Sequence, residues 1–598
     1  MAVATAKNAF ACSDGVGKGR TAVAASRRAE GSTPVRSRPL VGAILLATTF
    51  AFVGLLAGPA GASPSTLWVS LAPVGSNTGC SSPGFNTIQG AVSAAGPGNT
   101  VQVCAGIYTE QVTITTHISL HGAGAGSTRI QMPLPAADSL CNPGAPNPPG
   151  PPLHSVDVID VCTGSGGTTK ISGLTVAGPY GSLDCTLQGY GIAVVDNSAA
   201  NISNTTVTDI REDPLNGCQG GVGILVGRLS TDQVGKATLK NVTVSDYQKG
   251  GIVVSNTGSS AKISKSTVAG VGETDQIAQN GIQISYGASG SVTNSTIVGN
   301  ECNVGPLTCG PDPETQTQSA GVLLYDAGPK TKVQNSIISG NDMGVYNYES
   351  PDDTPPGSPV KVSTNHLSNN RYEGFELDGG TMTASSNTIT GGNAGVDILL
   401  YAGQSPAVSG TVKANTITYA GDAIRVSSDG DPGDTAPTVN LSGNLLDTTN
   451  SAGASNPTNF VINVKNSWWG NGTGPSGWAL GTGSSTSANV DFFPWATNPS
   501  LTALAGCTVT GNNITGSVPA DAILCGTGGN DYIDVSDGPV LILGNGGNDQ
   551  LRGTTSADAI IGGPGNDFID GRGGNDFIQC RGGTDSVVPH PGDSLSNC

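Results

Sequence analysis

The chain has 598 residues, a formal net charge of −18 and few aromatic residues, which make up 5% of the total. This acidic balance argues against a nucleic-acid partner, because binding phosphates requires a basic surface. Glycine is abundant, with 89 residues, while charged residues amount to only 12%. That composition favours short strands joined by tight turns over long helices. The negative charge fits either the solubility of an exported protein or the binding of cations.

The N-terminal segment differs from the rest of the chain. An apolar run over residues 40–56 is preceded by Arg27, Arg28, Arg36 and Arg38, and Ala60-Gly61-Ala62 follows it. This order predicts a secretory signal peptide over 1–62, with an uncleaved membrane anchor as the alternative. Residues 1–62 hold seven Lys/Arg and two Asp/Glu, a charge of +5, so the remainder carries −18 − 5 = −23. We therefore expect a secreted or cell-surface protein, with no membrane span after signal removal.

Cysteine usage is also typical of an exported protein. Of the 13 cysteines, Cys12 lies in the predicted signal peptide, which leaves an even number. An even number in an exported chain favours disulfides, and the absence of a Cys-x-x-Cys pair counts against structural zinc. Sequence alone does not determine the connectivity, but four neighbouring pairs are candidates: Cys80–Cys104, Cys302–Cys309, Cys507–Cys525 and Cys580–Cys598.

A phrase recurs from about residue 170 to 470: glycine plus an aliphatic residue, and later Asn-Ser/Thr-x-Ile/Val. One example is Gly281-Ile282 followed by Asn294-Ser295-Thr296-Ile297. Such short strands cannot bury their apolar side alone, so the repeat favours a solenoid whose coils share a core. A β-sandwich is the rival, but it does not require the phrase to recur. We expect the residues at five aliphatic positions of the phrase to be buried: Val322, Val345, Phe375, Val396 and Ile424. We expect the residue directly after each of them to be exposed.

Both ends of the repeat array carry candidate caps. Residues 86–95 have the helical spacing of apolar side chains that would let a short helix cover the first coil. Aromatic-rich segments over 466–470 and 490–495 follow the last repeat. This arrangement resembles right-handed parallel β-helix proteins of the pectin-lyase-like group, and the resemblance implies an all-β solenoid over 63–500. It implies no single activity, because this fold hosts lyases, hydrolases, esterases, epimerases and non-catalytic adhesins.

The C-terminal segment, 506–598, has a tighter period of nine residues. Its clearest unit, 562–570, reads Gly-Gly-Pro-Gly-Asn-Asp-Phe-Ile-Asp. It resembles the Gly-Gly-x-Gly-x-Asp-x-apolar-x repeat of RTX (haemolysin-type) proteins, in which a small β-roll binds Ca²⁺. Glycine permits the tight turn, and the Asp carboxylate supplies the hard oxygen that calcium prefers. A glycine-rich acidic linker would leave the nine-residue register unexplained.

Alternate turns of such a roll lie on opposite edges, so ligands of one ion are expected eighteen residues apart. Asp531, Asp549, Asp567 and Asp585 have this spacing and predict one complete edge with up to three ions. Asp558 and Asp576 lie on the other edge, where Val540 replaces the preceding Asp. Without calcium, repulsion between the carboxylates should leave about 526–588 disordered, while the β-helix should fold without the ion.

Signatures of known β-helix enzymes are missing from the sequence. The Asp-Pro-His motif of alginate epimerases is absent, as is the Gly-His-Gly element of polygalacturonases. One set of polar residues instead occupies the predicted outward positions of neighbouring coils, where an exposed groove would bring them together: Tyr346, Tyr348, Glu376, Asp378, Asp397 and Arg425. Tyrosine rings stack on sugars, and paired carboxylates with an arginine can polarise or protonate a glycan. An ordinary solvated face is the alternative.

Two functions remain open from the sequence. In the first, the protein is a calcium-stabilised, non-catalytic protein of the envelope or matrix that binds a polysaccharide or a cell-surface glycan. In the second, it is a polysaccharide lyase, epimerase or hydrolase that acts on the outer face of the β-helix. The missing catalytic signatures favour the first.

Overall fold

The structure is a computed structural model that describes residues 65–144, 152–181, 185–303, 309, 317–350, 359–401, 404, 407–428 and 433–598. The predicted signal peptide therefore lies outside the described residues. Within them, helix α1 (Ile88–Ala94) is the single α-helix, and the remaining regular structure consists of strands. No helix in this part of the chain has the length and apolarity needed to cross a membrane.

The larger part of the molecule is a stack of coils with three strand faces, A, B and C. Strands of successive coils pair in parallel, as in Val322↔Val345 and Val345↔Phe375. Face A comprises, in spatial order, Val112–Ile114, His154–Val161, Leu187–Val194, Val222–Val226, Gly250–Ser255, Asn280–Ser285, Ala320–Tyr325, Met343–Tyr348, Glu373–Asp378, Ala394–Leu400, Asp422–Ser428, Ala452–Ser455, Gly483–Thr486 and Pro475–Gly477.

Faces B and C belong to one continuous sheet, because Ser198–Thr208 and Gly235–Ser245 run through both. Face B further contains Thr66–Val69, Thr100–Val103, Ser119–Gly122, Thr169–Ser172, Ser260–Ser264, Ser289–Thr293, Lys332–Gln334, Val360–Ser363, Thr381–Ser385, Ser409–Lys413, Thr438–Asn440, Ile462–Asn463 and Val490–Asp491. Face C further contains Gly106–Thr109, Thr128–Gln131, Thr175–Ala177, Thr267–Thr274, Thr296–Cys302, Ile337–Asn341, His366–Ser368, Thr388–Thr390, Thr416–Thr418 and Leu445–Leu446.

The interior of the coils is filled by aliphatic ladders and by a row of asparagines. The five aliphatic residues that follow the repeated glycines, from Val322 to Ile424, are fully buried, which confirms that part of the prediction. At a corner of the coils, the side-chain amide of Asn365 donates to Asn387, which in turn donates to Asn415, at 3.0 and 2.9 Å. These bonds satisfy polar groups that would otherwise be costly to bury.

The prediction that the residues after those aliphatic positions are exposed is wrong. Leu323, Tyr346, Glu376 and Asp397 are 0–3% exposed, and only Arg425, with 22% of its side chain exposed, reaches solvent. Part of the reason is chain that follows the strand Ala394–Leu400 and lies over the outer side of face A. The side-chain amide of the buried Gln404 donates to the Asp378 carboxylate and to the Leu399 carbonyl at 3.3 and 2.9 Å.

Helix α1 begins after Thr87, whose hydroxyl accepts a hydrogen bond from the Gly90 amide at 3.2 Å. The Glu110 carboxylate accepts from the backbone N–H groups of Ile88 and Gln89, at 2.8 and 2.9 Å, and so compensates the positive end of the helix. Ile88, Ala91 and Val92 are buried in the same core as the first coils. The predicted N-terminal cap is thereby confirmed.

The C-terminal segment is a flattened roll of two parallel sheets. The first sheet contains Val509–Thr510, Ala522–Cys525, Val540–Leu543, Ala559–Pro564, Phe577–Gly582 and Ser594–Ser596. The second contains Asn513–Gly516, Tyr532–Val535, Gln550–Arg552, Phe568–Asp570 and Ser586–Val588. Strands pair with a register of eighteen residues, as in Ile533↔Leu551, so two nine-residue units form one turn of the roll. Ile533, Ile542, Leu551, Ile560 and Ile569 fill the space between the sheets.

The roll packs against the last coil of the larger stack. Leu541, Leu543 and Ile561, on the outer side of the first roll sheet, join the same apolar core as Trp469 and Trp495. The Asn489 side-chain oxygen accepts hydrogen bonds from Gln579 and Asn597 at 3.0 and 2.8 Å, and the rings of Trp478 and Phe577 lie 5.3 Å apart. The two parts therefore share one interface with both apolar and polar contacts.

Six disulfides occur within the described residues. Four of them are the neighbouring pairs considered from the sequence, Cys80–Cys104, Cys302–Cys309, Cys507–Cys525 and Cys580–Cys598. The other two are Cys141–Cys162 and Cys185–Cys218. Each bridge links residues close in sequence, so the disulfides fasten local loops and the ends of the roll.

Candidate functional site

The aspartates predicted from the nine-residue period lie in the turns of the roll. Asp531, Asp549 and Asp567 follow one another along one edge, and Asp558 and Asp576 along the other, and all five are buried. In all of them except Asp531, the Oδ1 atom accepts a hydrogen bond from the backbone N–H of the residue eighteen positions earlier. Asp549 accepts from Asp531 at 2.9 Å, and Asp567 accepts from Asp549 at the same distance. Neighbouring turns are thus connected through their carboxylates.

The second carboxylate oxygen divides these aspartates into two groups. The Oδ2 atoms of Asp549, Asp567 and Asp576 are buried and have no hydrogen-bond partner among the described residues. The Oδ2 of Asp531 instead accepts from the Thr527 amide at 2.7 Å, and that of Asp558 from the Thr554 amide at 2.6 Å. Threonine replaces the second glycine of the repeat in these two units, and it satisfies the carboxylate from within its own turn.

Burial without a counter-charge changes the acidity of the unsatisfied carboxyls. Burial, reinforced by the nearby carboxylates of Asp567 and Asp531, raises the pKa of Asp549 to about 6. Burial also raises the pKa of Asp576 to about 7, with contributions from Asp558 and Asp593. Ionising such groups in the absence of a cation is costly, so a bound positive ion would stabilise the folded roll.

The surroundings of these carboxylates fit a hard cation. A Cβ atom at Gly544 or Gly562 would lie 2.7 or 2.5 Å from the Oδ2 of Asp549 or Asp567, so each carboxylate occupies space that only glycine leaves free. The described residues contain no cluster of three or more His, Cys, Asp or Glu side chains suited to a metal. A cation between these turns would therefore combine isolated carboxylates with backbone carbonyl oxygens, which is a donor set that suits calcium.

Asp585 and Asp593 end the two rows. Asp585 is half-buried, and its Oδ1 accepts from the Asp567 amide at 2.8 Å. Asp593, which the sequence reasoning missed, accepts from the Asp576 amide at 3.3 Å and from the His590 amide at 2.8 Å. It follows Asp576 by seventeen residues instead of eighteen, so a strict period does not find it. The pair Gly592-Asp593 after the last full unit is the sequence signal that was available.

The polar residues predicted on face A form a second cluster, which is buried and not an exposed groove. Glu376 lies in register between Tyr346 and Asp397 of the adjacent strands. The Arg425 guanidinium donates to the Asp397 carboxylate at 2.6 Å and to Glu373 at 2.8 Å. Glu373, which opens its strand before the repeated glycine, was missed because outward positions were counted only after that glycine.

The same cluster extends to the tyrosines. The Tyr346 hydroxyl donates to the Asp378 carboxylate at 2.7 Å, and the Gln404 side-chain amide donates to the other Asp378 oxygen at 3.3 Å. The rings of Tyr346 and Tyr348 lie 6.3 Å apart, and Tyr348 is 6% exposed. The six predicted residues are therefore brought together, with Arg425 providing the contact with solvent.

Glu376 has the most unusual environment in this cluster. Both of its carboxylate oxygens are buried without a hydrogen-bond partner in the described part of the chain. Burial raises the pKa of Glu376 well above its ordinary value, and the carboxylates of Glu373 and Asp397 add to the effect. Burial likewise raises the pKa of Glu373. A buried carboxyl held in its protonated form can donate a proton, which is the requirement for a general acid.

Comparison with family models covers both parts of the chain. The family described as right handed beta helix region matches residues 158–352 and 222–412. The RTX calcium-binding nonapeptide repeat matches 526–554, 543–578 and 552–587. The chain is a right-handed parallel β-helix protein with C-terminal RTX repeats. The asparagine-lined coils are thus the β-helix, and the two-sheet segment is the RTX roll.

No curated protein matches this β-helix protein, but solved structures do. The mannuronan C-5 epimerase AlgE6 A-module from Azotobacter vinelandii is 14% identical, over 64% of this chain and 93% of that one, with a TM-score of 0.39. The GH136 lacto-N-biosidase from Eubacterium ramulus is 11% identical, over 64% and 67%, with a TM-score of 0.39. Pectin methylesterase PemA from Erwinia chrysanthemi is 12% identical, over 52% and 81%, with a TM-score of 0.29. These likenesses concern the fold alone.

Proposed function

We propose that this protein is an exported, calcium-binding β-helix protein of the cell envelope or matrix, and that its β-helix binds glycans. The observation that carries the calcium part is the set of buried, unpartnered Oδ2 atoms of Asp549, Asp567 and Asp576. The six disulfides support an oxidising environment, in which such bonds persist. The regular outer surfaces of the β-helix, which repeat at the spacing of one coil, support binding to a polymer.

Calcium would be held by the turns that contain these aspartates, and Asp585 would complete the first edge. The ion supplies positive charge to carboxylates that are buried without a partner. Extracellular calcium modules bind at about 10⁻⁴ to 10⁻³ M, so the roll would be loaded outside the cell. Asp531 and Asp558 are expected to contribute less, because Thr527 and Thr554 already satisfy their second oxygen.

Calorimetric titration of calcium into chelator-stripped full-length protein tests this proposal. The wild type is expected to bind more than one ion per chain with a Kd of about 10⁻⁴ to 10⁻³ M, and the triple variant Asp549→Asn, Asp567→Asn, Asp576→Asn to lose most of the binding heat. A control that removes the same charge from exposed β-helix positions, Asp196→Asn, Asp232→Asn, Asp246→Asn, is expected to bind like the wild type. Equal binding by both variants would contradict calcium binding at these turns.

A second candidate function is polysaccharide lyase, epimerase or hydrolase activity at the face A cluster. The observation in its favour is the buried Glu376, whose pKa is raised by burial, beside the Asp397–Arg425 pair. Arg425 is the partly exposed member of the cluster, so a glycan would first contact the cluster there. A guanidinium that binds an anionic sugar and a carboxyl that donates a proton are both elements of glycan chemistry.

Incubating the calcium-loaded protein with acidic and neutral polysaccharides tests the enzymatic candidate. Activity predicts new unsaturated or reducing ends, and it predicts that Glu376→Gln lowers product formation by about a hundredfold or more, as expected for loss of a general acid. Asp196→Asn serves as the control for a surface acid and should retain full activity. A wild type that yields no new ends from any of the polymers, or a Glu376→Gln variant with wild-type rates, would leave the non-catalytic function.

A further inference from the structure

Lysines are concentrated on the outer side of face B, although residues 63–598 carry a net charge of −23, obtained as −18 − 5. Pairing between strands of successive coils places four lysines in one column along the axis: Lys170, Lys262, Lys332 and Lys361. Lys240 and Lys413 lie in the column two residues further along the strands. All six except the half-buried Lys332 are exposed. We call these two columns, from Lys170 to Lys413, the lysine face.

The lysine face has no acidic residue to balance it. Its other positions are serine, threonine, asparagine and glutamine, among them Asn201, Thr238 and Ser291. None of its lysines forms an ion pair with any part of the chain that the structure describes. Lys332 and Lys361 are directly opposite each other on paired strands, and like charges in that position destabilise a sheet. The fold therefore carries a local electrostatic cost for which it contains no counter-charge.

The composition of the lysine face limits what can bind it. Single-stranded nucleic acids are bound on aromatic platforms for their bases, and stable membrane binding adds inserted apolar or aromatic side chains, or a lipid anchor, to a basic patch. The two columns offer neither. They offer ammonium groups that are one to three coils apart, at multiples of the coil spacing of about 4.8 Å, with hydroxyl and amide groups between them. Such a surface suits an extended polymer that carries several anionic groups and many hydroxyls.

We infer that the lysine face binds an extended anionic polysaccharide, whose carboxylate or sulfate groups lie along the β-helix axis. This inference rests on the proposed glycan binding and adds to it the surface and the charge of the ligand. It places glycan binding on face B, away from the buried cluster on face A. The acidic charge elsewhere on the chain would repel the polymer and so confine it to this side.

Surface-immobilised hyaluronan and chondroitin sulfate, with neutral dextran as a comparison, provide the test. The calcium-loaded protein is expected to bind the two anionic polymers with an affinity that falls as salt is raised, and Lys332→Gln with Lys361→Gln to weaken binding about tenfold. The double variant Arg129→Gln with Arg211→Gln removes the same charge from positions outside the lysine face and should bind like the wild type. The lysine variant should unfold at a temperature no lower than that of the wild type, because it removes the repulsion between Lys332 and Lys361, so its weaker binding would not reflect a loss of folding.

The possible outcomes separate this inference from the function on which it rests. Binding to dextran as tight as to hyaluronan, and equal in both double variants, would leave glycan binding intact and overturn the role of the lysine face. Wild-type affinity of the lysine variant for hyaluronan would overturn it as well. Tighter binding to a single-stranded oligonucleotide or to phosphatidylglycerol vesicles would assign the face to a different partner. Failure to bind any polysaccharide would overturn the proposed glycan binding together with the inference.

Discussion

Asp567→Ala is expected to remove most of the calcium-dependent stability of the roll, whereas Asp558→Ala should retain most of it. With calcium at roughly 100 times its Kd, each site contributes about 2.7 kcal/mol. Asp567 is bonded to both neighbouring turns of its row, so its loss affects two predicted sites. Asp558 has both oxygens satisfied by protein donors, from Val540 and Thr554. Its removal should therefore lower stability with and without the ion by similar amounts.

Thermal unfolding followed by circular dichroism, with calcium and with chelator, measures this difference directly. The quantity to compare is the difference in Tm between calcium and chelator. The hydrogen bonds that a substitution removes are missing in both conditions, so they do not contribute to this difference. The wild type and Asp558→Ala should show large shifts, and Asp567→Ala a small one. Equal shifts for the two variants would mean that the unpartnered oxygen of Asp567 is not where calcium binds.

Glu376→Gln is expected to stabilise the β-helix at pH 8 and to have little effect at about pH 4. The folded-state pKa of Glu376 is raised, mainly by burial. The protonated side chain makes its full contribution to stability below the unfolded-state pKa. This contribution is lost as pH rises through the folded-state pKa. Each unit of pKa difference is equivalent to about 1.4 kcal/mol. Glutamine has the same shape as glutamate but does not ionise, so the variant does not lose this stability at high pH. Alanine does not ionise either, but it would leave a cavity.

Urea unfolding of the two proteins at both pH values tests this, with the exposed Asp196→Asn as a control that should not change stability at either pH. Stabilisation at pH 8 together with loss of polysaccharide turnover would show that Glu376 is retained for function at the expense of stability. Lower stability of Glu376→Gln at pH 8 would instead mean that the carboxylate is ionised and paired in the folded protein.

The sequence was sufficient to predict the architecture because its patterns follow from backbone geometry. The repeated glycine-aliphatic phrase located the inward ladder from Val322 to Ile424, all of which is buried. The nine-residue period located Asp549 and Asp567 at equivalent positions in successive turns. Helix α1 was also found from its spacing. In each of these cases a local period determines which side of the chain is buried, so no knowledge of distant segments was needed.

The sequence was not sufficient to predict the outer surface of face A. A single period of two assigns alternate residues to the interior, but it cannot tell whether another segment covers the opposite side. The available signal was the near-continuous apolar character of strands such as Val222–Val226 and Ala394–Leu400, which is typical of strands buried on both sides. The roles of Thr527 and Thr554 were also not predicted. The repeat motif has glycine at their position, so it does not indicate that a threonine there bonds to the aspartate of its own turn.

The interface between the roll and the last coil has a consequence for assembly. A stack of parallel coils ends in strands whose backbone groups lack a partner, and such ends join other chains unless they are capped. Helix α1 closes the first end with an ordinary apolar core. At the other end, Gln579 of the roll contacts Asn489, which precedes the final strand, and Arg581 contacts Asp491 in that strand. Because the roll is expected to need calcium, a fall in calcium would uncover this end and permit end-to-end polymerisation of the β-helix.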